Sequence, residues 1–286
     1  MMTRENDQES PIELATRRSE PTVTVVIPAK NEALNLPQVL TRIPDDVDEV
    51  TLVDGNSVDG TIDVARAHLP GIRVIGQTHK GKGNALACGF AASTGDIIVM
   101  LDADGSTDPA EIHRFVDVLL EGADFAKGSR FMPGAGSSDI SRLRQMGNFW
   151  LNRIVKVLYR TRHTDLCYGY NAFRRECLEV MALDPGRPGD VHVDSMLWGD
   201  GFEVETLVNV RIAKVGLRVA EVPSFERSRH GGTSNLNAFS DGIRVVRAIH
   251  AERSRGGRHA VATASATFDY RSTDWELDPA IGEEAG

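Results

Sequence analysis

Asp102-Ala103-Asp104-Gly105 follows the apolar run Ile97 to Leu101, which carries two carboxylates, two residues apart, into a glycine-led loop. Along a strand, residues i and i+2 point to the same side, so at its end both carboxylates reach one point. Two hard oxygen ligands there suit Mg²⁺ or Mn²⁺, ions that also take phosphate oxygens from a substrate. The plain alternative is a strand followed by an Asx turn, since Asp and Gly are ordinary turn residues. Neighbouring segments carry similar groups: Asn31 and Glu32 follow the β-branched run Thr22 to Ile27, and Asp54 follows Glu49 to Val53. Lys82 stands between Gly81 and Gly83. An ammonium on a flexible stem in such a loop suits a phosphate oxygen; the bland reading is a solvated lysine.

These groups need elements to hold them. The sequence predicts strands at 22–27, 49–53, 72–75 and 97–101, alternating with helices at 35–42, 61–69 and 83–93. Asp108 is placed to cap a further helix with Pro109 at its first position. Such alternation implies a parallel sheet covered on both faces, and ligands of such sheets sit beyond the carboxyl ends of the strands. Asn31, Glu32, Asp54, Asp102 and Asp104 would then share one edge. Beyond Gly128 the alternation weakens. Ile140 to Thr164 contains Arg142, Arg144, Arg153, Lys156, Arg160 and Arg162, no acid, and many apolar residues, Trp150 among them. That composition predicts one or two amphipathic helices with a basic border. A helix at 204–215 and a last short strand at 218–223 complete the pattern.

The 286 residues allow one large domain or two small ones, and 41% hydrophobic with 26% charged residues marks a globular chain. A net charge of -9 argues against general nucleic-acid binding. Cys88, Cys167 and Cys177 are scattered, which reads as reduced thiols in a cytosolic protein and not as a zinc or disulfide framework. No run approaches the roughly 18–20 apolar residues of a membrane span. Residues 1–20 read as a disordered leader and 254–286 as a loose tail, leaving 21–253 as the working domain.

Several motifs fall into one order: Val26-Ile27-Pro28-Ala29-Lys30-Asn31-Glu32, Val53-Asp54-Gly55-Asn56-Ser57, Lys80-Gly81-Lys82-Gly83, Asp102-Ala103-Asp104, Gly128-Ser129-Arg130, Asp165 to Asn171, Glu205, and Arg229 to Asn235. The series, from Val23 to Ile249, resembles an inverting family 2 glycosyltransferase. It is most similar to the branch of dolichyl-phosphate mannose synthases and bacterial polyprenyl-phosphate sugar transferases. The resemblance implies an α/β GT-A fold, a Rossmann-like, mostly parallel sheet with helices on both faces and no transmembrane segment. It implies a nucleotide-sugar donor held by Pro28, Ala29, Asn31, Glu32, Asp54, Lys82, Asp102, Ala103 and Asp104. A divalent ion, Mg²⁺ or Mn²⁺, would sit on Asp104 first and Asp102 second. Glu205, Arg130 and Arg229 take catalytic positions, and Arg142, Arg144 and Ser234 acceptor positions. Where dolichyl-phosphate mannose synthases read Asp-Ala-Asp-Leu-Gln, this chain has Gly105-Ser106, and Asn235 replaces a lysine of many relatives. The first departure tilts the donor toward UDP-glucose over GDP-mannose.

The acceptor stays open at this point. A lipid phosphate is already an anion and needs cations to position it, which arginine's planar fork supplies. A hydroxyl acceptor, on a small molecule or polysaccharide, needs a general base, for which Glu205 is placed. The lipid reading gives peripheral contact with the cytoplasmic face of a membrane through residues 140–164; the same stretch would also serve as a subunit interface of a homo-oligomer or a groove for a soluble acceptor. A non-catalytic nucleotide-sugar binder is the remote alternative. Trp150, Trp198 and Phe202 are candidates for an acceptor groove or for the core, and His230 for a loop over the donor pyrophosphate.

Overall fold

The computed structural model describes residues 20–186, 196, 199–231 and 238–254. The expected leader, up to residue 19, and the tail from 255 onward lie outside the described residues, as do Trp198, Ser234 and Asn235. Short β-branched runs form β1 (Val23–Ala29), β2 (Glu49–Asp54), β3 (Arg73–Gly76) and β4 (Ile97–Met100). Between them lie α1 (Leu36–Leu40), α2 (Thr61–His68) and α3 (Lys82–Ala92). β1 pairs in parallel with both β2 and β4, and β2 with β3. The Asp108 side chain caps the next helix as expected, accepting from Ala110 N at 3.1 Å. Pro109 opens a 3-10 turn that runs into α4 (Ile112–Leu120).

The second half departs from simple alternation. It holds β5 (Phe125–Ser129), β6 (Gly136–Ser137), α5 (Arg142–Tyr159), β7 (Asn171–Arg174), α6 (Cys177–Met181), α7 (Val204–Val215), β8 (Val219–Pro223), β9 (Phe225–Glu226) and α8 (Ala238–Ser254). The main sheet has seven strands in the order β3-β2-β1-β4-β7-β5-β8. β7 runs antiparallel to both of its neighbours, and β6 and β9 form a separate two-stranded sheet. The basic stretch 140–164 gives one helix, α5, begun where Ser141 Oγ accepts from Arg144 N.

Alternation along β1 divides the core. Val25 and Ile27 pack on one face with α1, α2 and α4; Val26 packs on the other with α3, α6 and α7. Each such fully buried aliphatic side chain contributes about 1.5–3 kcal/mol. A smaller third cluster joins Val155 of α5, Val210 of α7 and Val245 and Ile249 of α8 to Leu166. Among the described residues, no helix is long and apolar enough to cross a membrane.

Candidate active site

The chain runs from β1 outward through β2 to β3, then returns to place β4 on the other side of β1. That reversal is the switch point where ligands of open α/β sheets bind. Ala29 stands beside Asp54 in the β1–β2 register, and the loops after β1 and β4 flank each other. Asn31 turns the first loop with φ of 56°, and its Oδ1 accepts from Val58 N at 2.9 Å. Asp54 is buried; Oδ2 accepts from Ser57 N at 3.0 Å, while Oδ1 is buried with no hydrogen-bond partner.

Both carboxylates after β4 are ion-paired, each with a cation from a different loop. Lys82 Nζ lies 2.7 Å from Asp102 Oδ1 and 2.9 Å from Glu205 Oε1, at the start of α3 and α7 respectively for the lysine and glutamate. Arg229 Nη2 lies 3.1 Å from Asp104 Oδ2 and 3.3 Å from Glu32 Oε1. The β4 loop thus links both ends of the site. Glycine makes the Lys82 arrangement possible: Gly81 has φ of 126°, and a Cβ at Gly81 or Gly83 would run into the Asp200 or Gly199 carbonyl. Asn35 fastens the Arg229 loop, its Oδ1 accepting from Gly231 N at 3.0 Å and its Nδ2 donating to Gly231 O at 3.3 Å.

Electrostatics follow the geometry. Burial pushes the Glu205 carboxyl up, against the pull of the Lys82 ammonium. Burial also works against the charge of Lys82, but Asp102 and Glu205 outweigh it and hold the ammonium well above its ordinary range. For Asp104 burial acts upward, yet hydrogen bonds from Ser106 and the Arg229 charge leave the carboxyl below its usual value. Glu32 is pushed up by burial, with Asn35 and Arg229 opposing. Asp102 and Asp104 offer the hard oxygens that Mg²⁺ or Mn²⁺ takes when a substrate's phosphates complete the shell. In donor chemistry they fit such an ion, although no group of three His, Cys, Asp or Glu side chains gathers for a metal among the described residues.

Of the residues singled out by sequence, the structure brings Lys82, Asp102 and Glu205 into one ion-paired cluster and Arg229, Asp104 and Glu32 into a second, the two joined through the backbone of Asp102 to Asp104. Pro28 and Ala29 end β1 beside it, and Ala103 is buried between the two aspartates. Arg130 lies apart from them. Its Nε and Nη2 donate to Asp165 at 2.7 and 3.0 Å and its Nη1 donates to Glu226 at 3.0 Å, in a buried pocket over the Tyr168 ring. None of these bonds reaches Glu32, Asp102, Asp104 or Glu205. Arg142 and Arg144 stand on the first turn of α5, Arg144 paired with Asp139 at 3.4 Å. Trp150 is exposed, and Phe202 packs 5.9 Å below Lys82 Nζ.

Two contributors had been given no role from the sequence: Gly169, inside the Asp165 to Asn171 motif, and Lys127. A Cβ on Gly169 would stand 3.0 Å from Lys82 Nζ, 3.2 Å from Asp102 Oδ2 and 3.2 Å from Glu205 Oε1, so bare backbone covers that ion pair. Lys127, fully buried in β5, donates to Tyr168 O at 2.5 Å and fixes the preceding peptide. Burial lowers its ammonium to about 8. A lysine inside the otherwise small and apolar run Phe125-Ala126-Lys127-Gly128 was the available signal.

A mostly parallel sheet with one reversed strand and a carboxylate pair at its switch point is the GT-A arrangement. In keeping with it, the solved structure of glucosyl-3-phosphoglycerate synthase from Mycobacterium tuberculosis, with Mn²⁺, UDP-glucose and phosphoglyceric acid, superimposes with a TM-score of 0.63 over 90% of this chain and 88% of that one. At 23% identity the likeness is one of fold. The model of "Glycosyl transferase family 2" matches residues 24–181. The chain belongs to that family and is a glycosyltransferase. Undecaprenyl-phosphate mannosyltransferase of Micrococcus luteus is 33% identical over 233 residues, 78% of this chain and 91% of that protein. Polyprenol monophosphomannose synthase of Mycolicibacterium smegmatis is 32% identical over 243 residues, 82% of this chain and 88% of that protein.

Proposed function

We propose that this chain transfers a sugar, with inversion at the anomeric carbon, from a nucleotide-sugar to a polyprenyl or dolichyl phosphate. The observation that carries the donor side is the two ion-paired clusters at the switch point, in which Lys82 faces Asp102 and Arg229 faces Asp104. Two cations poised on mobile-stemmed side chains suit the exchange of a carboxylate partner for a diphosphate oxygen. The partnerless Asp54 Oδ1 is placed to accept from a base N–H, and Glu32 to accept from ribose hydroxyls. Asp102 and Asp104 would hold a divalent ion, which supplies charge neutralisation on the departing nucleoside diphosphate. Relatives named for undecaprenyl-phosphate and polyprenol substrates support the acceptor.

In this reading an acceptor phosphate oxygen forms the new bond to the anomeric carbon as the bond to the diphosphate oxygen breaks. No proton need move, and Glu205, tied to Lys82, acts as a positioning group. One observation favours a second reading: burial raises the Glu205 carboxyl, the direction a general base requires to take a hydroxyl proton near neutral pH. Gly105-Ser106 favours UDP-glucose as the donor, and the mannose in the relatives' names supports a mannose donor as the alternative. The proposal includes work at the cytoplasmic face of a membrane, with α5 nearest the lipid.

The test is nucleoside diphosphate release by the purified chain with Mg²⁺ or Mn²⁺, supplied with UDP- or GDP-sugars, with and without short-chain polyprenyl phosphate. Release that depends on the lipid phosphate is the expected result. Release with a hydroxyl acceptor alone transfers the proposal to the Glu205-base reading.

A further inference from the structure

Lys82 takes its place from the stretch between β3 and α3, and that stretch is built around one side chain. Asn84, in the first turn of α3, is fully buried, and Thr78 and His79 are buried beside it. Its Oδ1 accepts from Thr78 N at 3.1 Å and from His79 N at 2.8 Å. Two backbone donors on that oxygen fix which way the carboxamide lies. Nδ2 therefore points the other way and donates to Thr78 Oγ1 at 3.0 Å and to His79 Nδ1 at 3.1 Å. Asparagine is an indifferent helix former because its side chain competes for backbone groups, and here those groups lie ahead of its own helix. One residue thus joins the chain leaving β3 to the chain entering α3 and closes Lys80 to Gly83 into a short loop. A second anchor stands across from it, where Gly83 N donates to Asp200 O at 2.7 Å.

Resting on the donor-side role proposed for Lys82, we infer that Asn84 is a positioning residue of the transfer reaction: it meets no substrate and acts by setting where the Lys82 ammonium stands. The ammonium lies 2.7 Å from Asp102 and 2.9 Å from Glu205 at the end of a long, flexible stem. Such a group returns to one place only if its backbone is held. The glycines on either side of Lys82 do not hold it. They admit the close approach of the Gly199 and Asp200 carbonyls, and they leave the chain its widest conformational freedom. Asn84, two residues on, supplies the restraint that they lack. Without its carboxamide, Thr78 N and His79 N lose the oxygen they donate to, and a buried N–H left so is costly enough to move the loop toward another acceptor. Lys82 would move with it, out of register with Asp102 and Glu205.

The experiment is a double-mutant cycle of Lys82→Met and Asn84→Ala in the full chain. It is read as kcat/KM for the nucleotide-sugar, as affinity for UDP and GDP with Mg²⁺ by calorimetry, and as Tm. Asn84→Ala alone should lower kcat/KM about 100-fold, the cost of a contributing group displaced by about 1 Å, and should weaken nucleotide binding. In the Lys82→Met background the same change should alter kcat/KM less than about two-fold, because the group it sets is gone. Asn84→Asp keeps an oxygen for Thr78 N and His79 N and should retain more activity than Asn84→Ala. If the alanine variant fails to fold, the smaller loss in Asn84→Asp carries the cycle and must likewise vanish beside Lys82→Met. Ser93→Ala serves as the control for stability alone: its buried hydroxyl donates to Gly89 O at 2.7 Å at the far end of α3, so Tm should fall while kcat/KM holds. Losses from Lys82→Met and from either Asn84 variant that multiply overturn the inference and leave the donor reading of Lys82 standing. A Lys82→Met chain with unchanged turnover and nucleotide affinity removes that reading, and the inference with it.

Discussion

At the scale of single residues, Glu205 divides the chemistry. Glu205→Gln keeps the shape and removes the charge that Lys82 faces. With a phosphate acceptor the change should cost about ten-fold in kcat/KM, a loss of positioning; a general base lost would cost about 100- to 10,000-fold. Kinetics on the two acceptor types decide between them. Gly169→Ala tests the close cover of the same cluster. The added methyl meets the flexible ends of Lys82, Asp102 and Glu205 at 3.0–3.2 Å, so they must give way. The fold should survive with a small drop in Tm while kcat falls about 100-fold, the order of effect that a displaced catalytic group brings. Lys127 adds a pH signature. Its ammonium is depressed to about 8 in the folded chain against about 10.5 unfolded, so its favourable contribution is full above about 10.5 and is lost as pH falls through about 8. The stability difference between the wild type and Lys127→Met should therefore grow in favour of the wild type from pH 7 to pH 10, measured by denaturant unfolding.

At the scale of elements, the half of the sheet that carries the ion-paired carboxylates was legible and the other half was not. Strands β1 to β4 are β-branched runs closed by Pro, Gly or Asp, and the alternation with helices announced their parallel pairing. The ion-paired residues come from motifs after β1 and β4, at the starts of α3 and α7, and, for Arg229, from the loop after β9. By contrast β7 is four residues, Asn-Ala-Phe-Arg, with no periodicity to mark it, and the helix before it, α5, leads to an antiparallel strand and not to the parallel one that alternation announces. β5 contains a lysine and a glycine, and its strand character comes from pairing with β7 and β8, partners far along the chain. α8 was not expected from the sequence, although Asn237, ahead of its first residue Ala238, is of the type that caps helices. α5 was visible as an amphipathic helix, but which of its two apolar sides faces inward is decided by Asn148 and its bonds to Asp165 and Cys167. Asn148→Ala should cost about 1–3 kcal/mol by leaving a buried carboxylate oxygen and N–H short of a partner. Hydrogen exchange should then speed up in 165–169 before it does in β1 to β4.

At the scale of the whole molecule, Arg130 shows why a motif can be placed well and its task still depend on the fold. It follows β5 directly, closing Gly-Ser-Arg, and its guanidinium joins Asp165, ahead of β7, to Glu226 on β9, residues 35 and 96 positions away. Asp165 in turn holds Asn148 of α5, so one arginine ties the main sheet, the small sheet and the basic helix together. Burial works against its charge, but the two carboxylates outweigh that and hold it firmly charged. Arg130→Met would strand two buried carboxylates, a loss of about 3–5 kcal/mol, or about 10 °C in Tm for a domain of this size. Arg130→Lys keeps one charge without the planar fork and should fall between the two. Calorimetry read beside kcat/KM separates a tie from a phosphate contact: the tie requires activity and Tm to fall together and to recover together in the lysine variant. An unchanged Tm with lost activity would instead put the guanidinium on the substrate.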